Sequence, residues 1–107
     1  MPDPTPEFSV LSQRTGGTLV LELAGELDLD GTSELDRALH AAMASDAERI
    51  VLDLEQLRFI GSSGLACLVR AQQLSNEDGN RLRVRGAEGQ VRRLLELTCI
   101  EQHLVAG

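Results

Sequence analysis

Residues 50–65 have the sequence IVLDLEQLRFIGSSGL, a short apolar run that leads into a turn of glycine and serine. The run Ile50-Val51-Leu52-Asp53-Leu54 is almost continuously apolar. Strands that are buried on both faces have this composition, so we place it at the centre of a mostly parallel sheet. Residues 57–60 carry the chain to Gly61-Ser62-Ser63-Gly64, and we expect a well-packed helix over residues 65–75.

The residues before this stretch predict an antiparallel hairpin and then a helix. Strands are expected at residues 8–13 and 18–24, joined by a short glycine turn. Residues 25–31, with the sequence GELDLDG, are expected to form an acidic loop. Thr32 or Ser33 can cap the helix that follows. The apolar residues of this helix repeat at helical spacing and predict one buried stripe: Leu35, Ala38, Leu39, Ala42 and Met43.

The residues after the turn predict one more strand, a third helix and a short final segment. Residues 81–85, RLRVR, alternate strictly, which is typical of a half-buried strand. Their arginines either guard an edge strand against association or form a binding stripe. A helix over residues 88–98 and a last segment over 100–105 follow. This order predicts one α/β domain, a small mixed sheet with helices packed against it, over residues 8–107.

Composition and charge narrow the function. Of 107 residues, 42% are hydrophobic and 25% charged, as in globular domains. The net charge of -7 argues against nucleic-acid binding, which needs a positive surface. It serves either solubility or matching to a basic protein partner. Residues 1–7 contain three prolines and no basic residue, so we expect a flexible lead rather than an export signal. With no long apolar run, the expectation is a cytoplasmic protein without membrane contact.

Several kinds of chemistry lack the residues they need. The chain has no lysine, which removes a Schiff-base or phosphate-loop lysine. Neither histidine has a partner at metal-ligand spacing. Cys67 and Cys99 lie in apolar helical patterns and are expected to be buried thiols. Glu26, Asp28 and Asp30 have the spacing of a calcium loop, but the closing carboxylate of such a loop is missing. We therefore expect no enzyme activity, cofactor or metal.

The Gly61-Ser62-Ser63-Gly64 turn is the remaining candidate for function. The first N–H groups of a helix and its dipole favour an anion, so a phosphate on either serine would be stabilised there. Glycine on both sides allows another protein to approach the backbone closely. The plainer interpretation is a serine that only caps the helix. The spacing alone leaves both interpretations open.

Three segments, in this order and spacing, resemble the STAS domain: GELD at 25–28, IVLDL at 50–54 and FIGSSGL at 59–65. Within that family the chain is similar to the bacterial anti-sigma factor antagonists. The resemblance covers about residues 8–105 and implies partner switching. The antagonist binds an anti-sigma factor that is also a serine kinase and so frees the sigma factor. The kinase then phosphorylates Ser62, less plausibly Ser63, and a serine phosphatase resets the protein.

The resemblance also implies a partner-binding surface made of Glu26, Asp28, Gly61, Ser62, Ser63, Gly64 and Leu65. The chain departs from the family pattern at Gly61, where an aspartate is usual, and at Cys99, where glycine often ends the third helix. Many members also continue past the position of Gly107 into a last helix. Two functions remain open from the sequence: an antagonist switched by phosphorylation at Ser62, and a non-switching STAS interaction module in a sensory or transporter-associated complex. Binding of a nucleotide or lipid by the acidic loop and the serine turn is a third interpretation.

Overall fold

The computed structural model describes residues 8–77, 79, 81–97 and, for the backbone, 104–105. Its strands are β1 (Ser9–Thr15), β2 (Thr18–Leu27), β3 (Arg49–Ile60), β4 (Leu82–Arg85) and β5 (Leu104–Val105). Its α-helices are α1 (Thr32–Ala44), α2 (Ser62–Glu77) and α3 (Gly89–Leu97), and a short 3-10 helix, Leu29–Gly31, precedes α1. The predicted flexible lead over residues 1–7 lies outside the described residues.

The five strands form one mixed sheet in the order β1-β2-β3-β4-β5. β1 and β2 pair antiparallel through the turn at Gly16, and every later pair is parallel. Each parallel connection contains one of the three helices. This architecture confirms the predicted α/β class, with an opening hairpin followed by parallel strands.

The hydrophobic core lies on one face of the sheet, against the helices. Leu21, Leu52 and Val84 are register partners on β2, β3 and β4, and all three are buried in the same cluster. The predicted stripe of α1 joins them: Leu35, Leu39 and Ala42 are buried, and Ala38 and Met43 pack against the cluster. The alternation of side chains along a strand explains why polar Asp53 points to the opposite face from Leu52.

The strands and helices around the serine turn are longer than the sequence pattern predicted. β2 continues to Leu27 because β3 is equally extended and pairs with it as far as Ile60. Residues 25–27 are therefore strand rather than loop, with register shifts at Glu22/Ala24 and at Gly25/Glu26. α2 begins at Ser62, three residues earlier than predicted. The two serines lie inside its first turn rather than before it. The sequence pattern did not predict this, because polar residues contribute no hydrophobic periodicity.

The predicted side-chain cap of α1 is wrong. The N-cap residue is Gly31, and neither Thr32 nor Ser33 caps the helix through its side chain. The preceding 3-10 helix already brings Gly31 into a helical conformation, with φ -93° and ψ -7°. The Thr32 hydroxyl instead donates a hydrogen bond to the Leu29 carbonyl oxygen at 2.9 Å. Continuous helical backbone thus replaces the capping side chain.

The arginines of residues 81–85 do not guard an edge strand. Within the described residues β4 has a neighbour on each side, since Val84 pairs with Leu104 of β5. The Arg81 guanidinium donates to three carbonyl oxygens at and beyond the end of α1, including those of Met43 and Ala47 at 2.6 Å each. Arg85 forms an ion pair with Asp53 at 3.2 Å. These contacts give two of the arginines structural roles within the domain.

Candidate functional site

The sequence-predicted residues come together where β2 and β3 end and α2 begins. Ser62 is exposed in the first turn of α2, Ser63 is half-buried, and Gly64 is buried. Among the described residues, the Ser62 hydroxyl has no hydrogen-bond partner. It is therefore free to be presented to another molecule at a helix N-terminus, where negative charge is stabilised.

Backbone contacts with β2 hold the serine segment in place. The Gly61 N–H donates to the Leu27 carbonyl oxygen at 2.8 Å, and the Gly61 carbonyl accepts from the Leu65 N–H at 2.9 Å. A Cβ added at Gly64 would lie 2.8 Å from Leu27 Cδ2 and 3.0 Å from its backbone oxygen. Real Cβ atoms are rarely so close to another atom, and the second of these is backbone. Glycine at 64 is thus required for α2 to lie this close to β2.

Asp28 fills the space above Gly61. A Cβ at Gly61 would lie 2.8 Å from Asp28 Cγ and closer still to Oδ1. The Ser63 hydroxyl donates a long hydrogen bond of 3.4 Å to the same carboxylate oxygen. The family resemblance places an aspartate at position 61, and here the Asp28 carboxylate lies where a side chain at that position would start. The substitution by glycine therefore does not leave the serine segment without a neighbouring carboxylate.

Glu26 precedes Leu27 in β2, and because side chains alternate along a strand it points to the opposite face of the sheet from buried Leu27. It is exposed on β2, and its register partner on β3 is Phe59, whose side chain is 37% exposed. Leu29, in the 3-10 helix, is 72% exposed, and that helix contacts both β2 and α2. Sequence reasoning missed these two apolar residues. The available signal was an isolated leucine between Asp28 and Asp30, which a solvated acidic loop does not require.

An open groove of about 390 Å³ runs along α2 from the serine segment. It is lined by Ser62, Leu65, Ala66, Val69, Arg70 and Gln73. Exposed or half-buried apolar side chains beside a polar rim are the composition of protein-binding surfaces. We call Asp28, Leu29 and the residues that line this groove the serine face.

A second groove, of about 440 Å³, lies between α1 and α2 and contains none of the predicted site residues. Cys67 lies in its wall and is buried. Burial raises the pKa of the Cys67 thiol above its ordinary value, and the charge of Asp36 acts in the same direction. Cys99, the other predicted buried thiol, lies outside the described residues.

The acidic residues of the candidate site do not form a metal centre. No group of three His, Cys, Asp or Glu side chains able to hold a metal ion occurs within the described part of the chain. No described helix is long and apolar enough to cross a membrane.

The fold and this placement define a STAS domain, and comparison with known proteins agrees. The family profile described as "Mlab, STAS domain" matches residues 10–106, and the chain belongs to that family. It is 36% identical over 84 residues to a protein named anti-sigma F factor antagonist from Paenibacillus polymyxa, covering 77% of this chain and 71% of the relative.

Solved structures show the same architecture. An anti-sigma factor antagonist from Mycobacterium paratuberculosis superposes with a TM-score of 0.79 at 25% identity, over 99% of this chain and 89% of that one. The Bacillus cell fate determinant SpoIIAA in its phosphorylated form gives 0.75 at 19% identity, over 94% and 91% of the two chains. The second likeness shows the fold alone.

Proposed function

We propose that this protein is an anti-sigma factor antagonist: it binds an anti-sigma factor through the serine face, and phosphorylation of Ser62 ends that binding. The observation that carries the proposal is the exposed, unbonded Ser62 hydroxyl in the first turn of α2, beside exposed apolar and acidic side chains. The names of the relatives support the class of partner. We further propose that the protein acts by binding and not by catalysis.

The electrostatics of the serine face favour a switch at Ser62. A phosphoserine carries close to two negative charges near neutral pH. Asp28 already lies over the start of α2, so the added dianion enters a region that carries a negative charge before modification. A partner surface that fits the unphosphorylated face would then have to bury unpaired like charges. A loss of about 1.4 kcal/mol already weakens binding tenfold.

Helix α2 also tolerates the modification. Phosphate at a helix N-terminus is stabilised by the free N–H groups and the dipole. Phosphorylation is therefore expected to change the surface without unfolding the domain. This separates the proposed switch from one that acts by melting a helix. A serine phosphatase is the partner that would return the protein to its binding form.

The test uses the full chain and the serine-kinase anti-sigma factors encoded in its own genome. We expect wild type and Ser62→Ala to bind one of them with similar affinity, and Ser62→Asp to bind at least about tenfold more weakly. Ser33→Asp is the matched control and should bind like wild type, since it adds the same charge to an exposed serine in the first turn of another helix. With kinase and ATP, mass spectrometry should place a phosphate on Ser62, and Ser62→Ala should receive none.

Two results would contradict the proposal. If Ser62→Asp binds as tightly as wild type, Ser62 does not control the interaction. If the complex forms but an active kinase never phosphorylates the protein, the non-switching interaction module describes it instead.

A further inference from the structure

A single side chain of α3 holds the end of β3 directly before the serine segment. Gln90 Oε1 accepts a hydrogen bond from the Ile60 N–H at 3.0 Å, and Gln90 Nε2 donates one to the Ile60 carbonyl oxygen at 2.9 Å. The two residues are thirty positions apart in the chain. Both polar groups of one backbone residue are thus satisfied by one side-chain amide.

The topology explains why such a contact is needed. β4 pairs with β3 only from Ile50 to Asp53, and then the chain turns away at Gly86, which has φ +77°. β3 continues to Ile60 with β2 on one side but without β4 on the other. Ile60 is fully buried, and an unpaired buried peptide group would be costly. A primary amide offers one donor and one acceptor, the same pair that a neighbouring strand would supply.

The contact has consequences for the serine segment because Ser62 follows Ile60 by two residues. On the β2 side, the Gly61 N–H is bound by the Leu27 carbonyl. On the α3 side, Gln90 binds Ile60. The first turn of α2 is thereby fixed from both flanks, and one flank depends on a side chain.

We infer that Gln90 is a positioning residue for Ser62: it sets where the serine hydroxyl lies when the kinase partner acts on it. This inference rests on the function proposed above. A misplaced acceptor lowers the rate of the chemical step more than it lowers affinity, and a displacement of about 1 Å can cost about a hundredfold. The surface that binds the partner consists of other residues, so substrate binding should be kept.

The test compares Gln90→Met, which has similar volume and removes both hydrogen bonds, with Gln90→Glu, which keeps an acceptor for the Ile60 N–H but removes the donor. Gln56→Met is the control for the chemical change, since Gln56 is exposed on β3 and does not line the groove along α2. The first readout, amide hydrogen exchange by NMR, needs no partner. Gln90→Met should accelerate exchange at Ile60 at least about tenfold while the core amide of Leu52 stays protected. Gln90→Glu should retain most of the protection at Ile60.

The second readout is the phosphorylation of Ser62 by the kinase that phosphorylates wild type. We expect Gln90→Met to lower kcat about tenfold or more with KM unchanged, Gln90→Glu to fall between it and wild type, and Gln56→Met to match wild type. Unchanged exchange at Ile60 in Gln90→Met would show that the two hydrogen bonds from Gln90 do not hold Ile60 in place. Accelerated exchange at Ile60 with an unchanged kcat would overturn the role of Gln90 in positioning Ser62. A raised KM without a change in kcat would overturn it as well. If no kinase phosphorylates wild type, the proposed function fails, and with it the positioning role. The exchange data would then still show whether Gln90 holds Ile60 in place.

Discussion

Replacing Gly61 by aspartate tests the claim that Asp28 occupies the space of a side chain at position 61. The new Cβ would lie 2.8 Å from Asp28 Cγ, so the Asp28 carboxylate has to rotate away and lose its contact with Ser63. Two carboxylates about 5 Å apart repel by about 3 kcal/mol at an effective dielectric constant of about 20. Asp28 is exposed, and solvent reduces this repulsion to at most about 1 kcal/mol.

One contribution acts in the opposite direction. Gly61 does not have a positive φ, so a side chain there suits the backbone. Removing a glycine then stabilises the fold by about 0.4–1 kcal/mol through the unfolded chain. In the wild-type background we expect Gly61→Asp to lower the free energy of unfolding by about 1 kcal/mol, because the lost contact and the repulsion together exceed this gain.

Whether Gly61→Asp lowers or raises the free energy of unfolding depends on the residue at position 28. In an Asp28→Ala protein both the steric conflict and the repulsion are absent, and Gly61→Asp should raise the free energy of unfolding by about 0.5 kcal/mol. The coupling between the two positions is then about 1.5 kcal/mol, which urea unfolding of the four proteins can measure. If the effect of Gly61→Asp agrees in both backgrounds to within about 0.5 kcal/mol, Asp28 does not occupy this space and the reasoning is refuted.

Three further predictions concern the packing of the domain at the site and beyond it. Gly64→Ala should destabilise the domain by about 1 kcal/mol, because overpacking against Leu27 exceeds the gain in helix propensity, whereas Ser62→Ala in the same turn should be nearly neutral in urea unfolding. Arg81→Leu should lower the free energy of unfolding by about 2 kcal/mol, because it leaves carbonyl oxygens at the end of α1 without their charged donor. Arg81→Lys should recover part of this free energy. Equal losses in the two variants would contradict the account. In a Cys99→Ser background, the Cys67 thiol should react with a thiol reagent only as fast as the fold opens, since burial raises its pKa above the ordinary value of 9.0. Because the unfolded thiol ionises first, stability should fall as pH rises above about 9, and this slope should vanish in Cys67→Ala.

Local patterns predicted the elements of the fold but not their ends. The stripe of α1 and the apolar run of β3 are visible because burial imposes a period on nearby residues. The start of α2 at Ser62 and the end of β2 at Leu27 depend on pairing between distant segments, as the Gly61 N–H to Leu27 bond shows. No short pattern reports such pairing.

Local patterns likewise predicted residues of the candidate site but not the contacts between distant segments that complete it. The serine segment and the acids of residues 25–31 stand out in the sequence, and the structure brings one of these acids, Asp28, to the serine segment. The placement of the Asp28 carboxylate over Gly61 and the binding of Ile60 by Gln90 join residues about thirty positions apart. Composition and spacing contain no trace of either contact.

The most direct test of the proposed function compares one protein in two chemical states. The protein phosphorylated at Ser62 by its kinase and the same protein after phosphatase treatment are titrated separately with the anti-sigma factor by calorimetry. We predict that the dephosphorylated form binds, and that the phosphorylated form binds at least about tenfold more weakly. Equal affinities for the two forms would contradict the switch at Ser62.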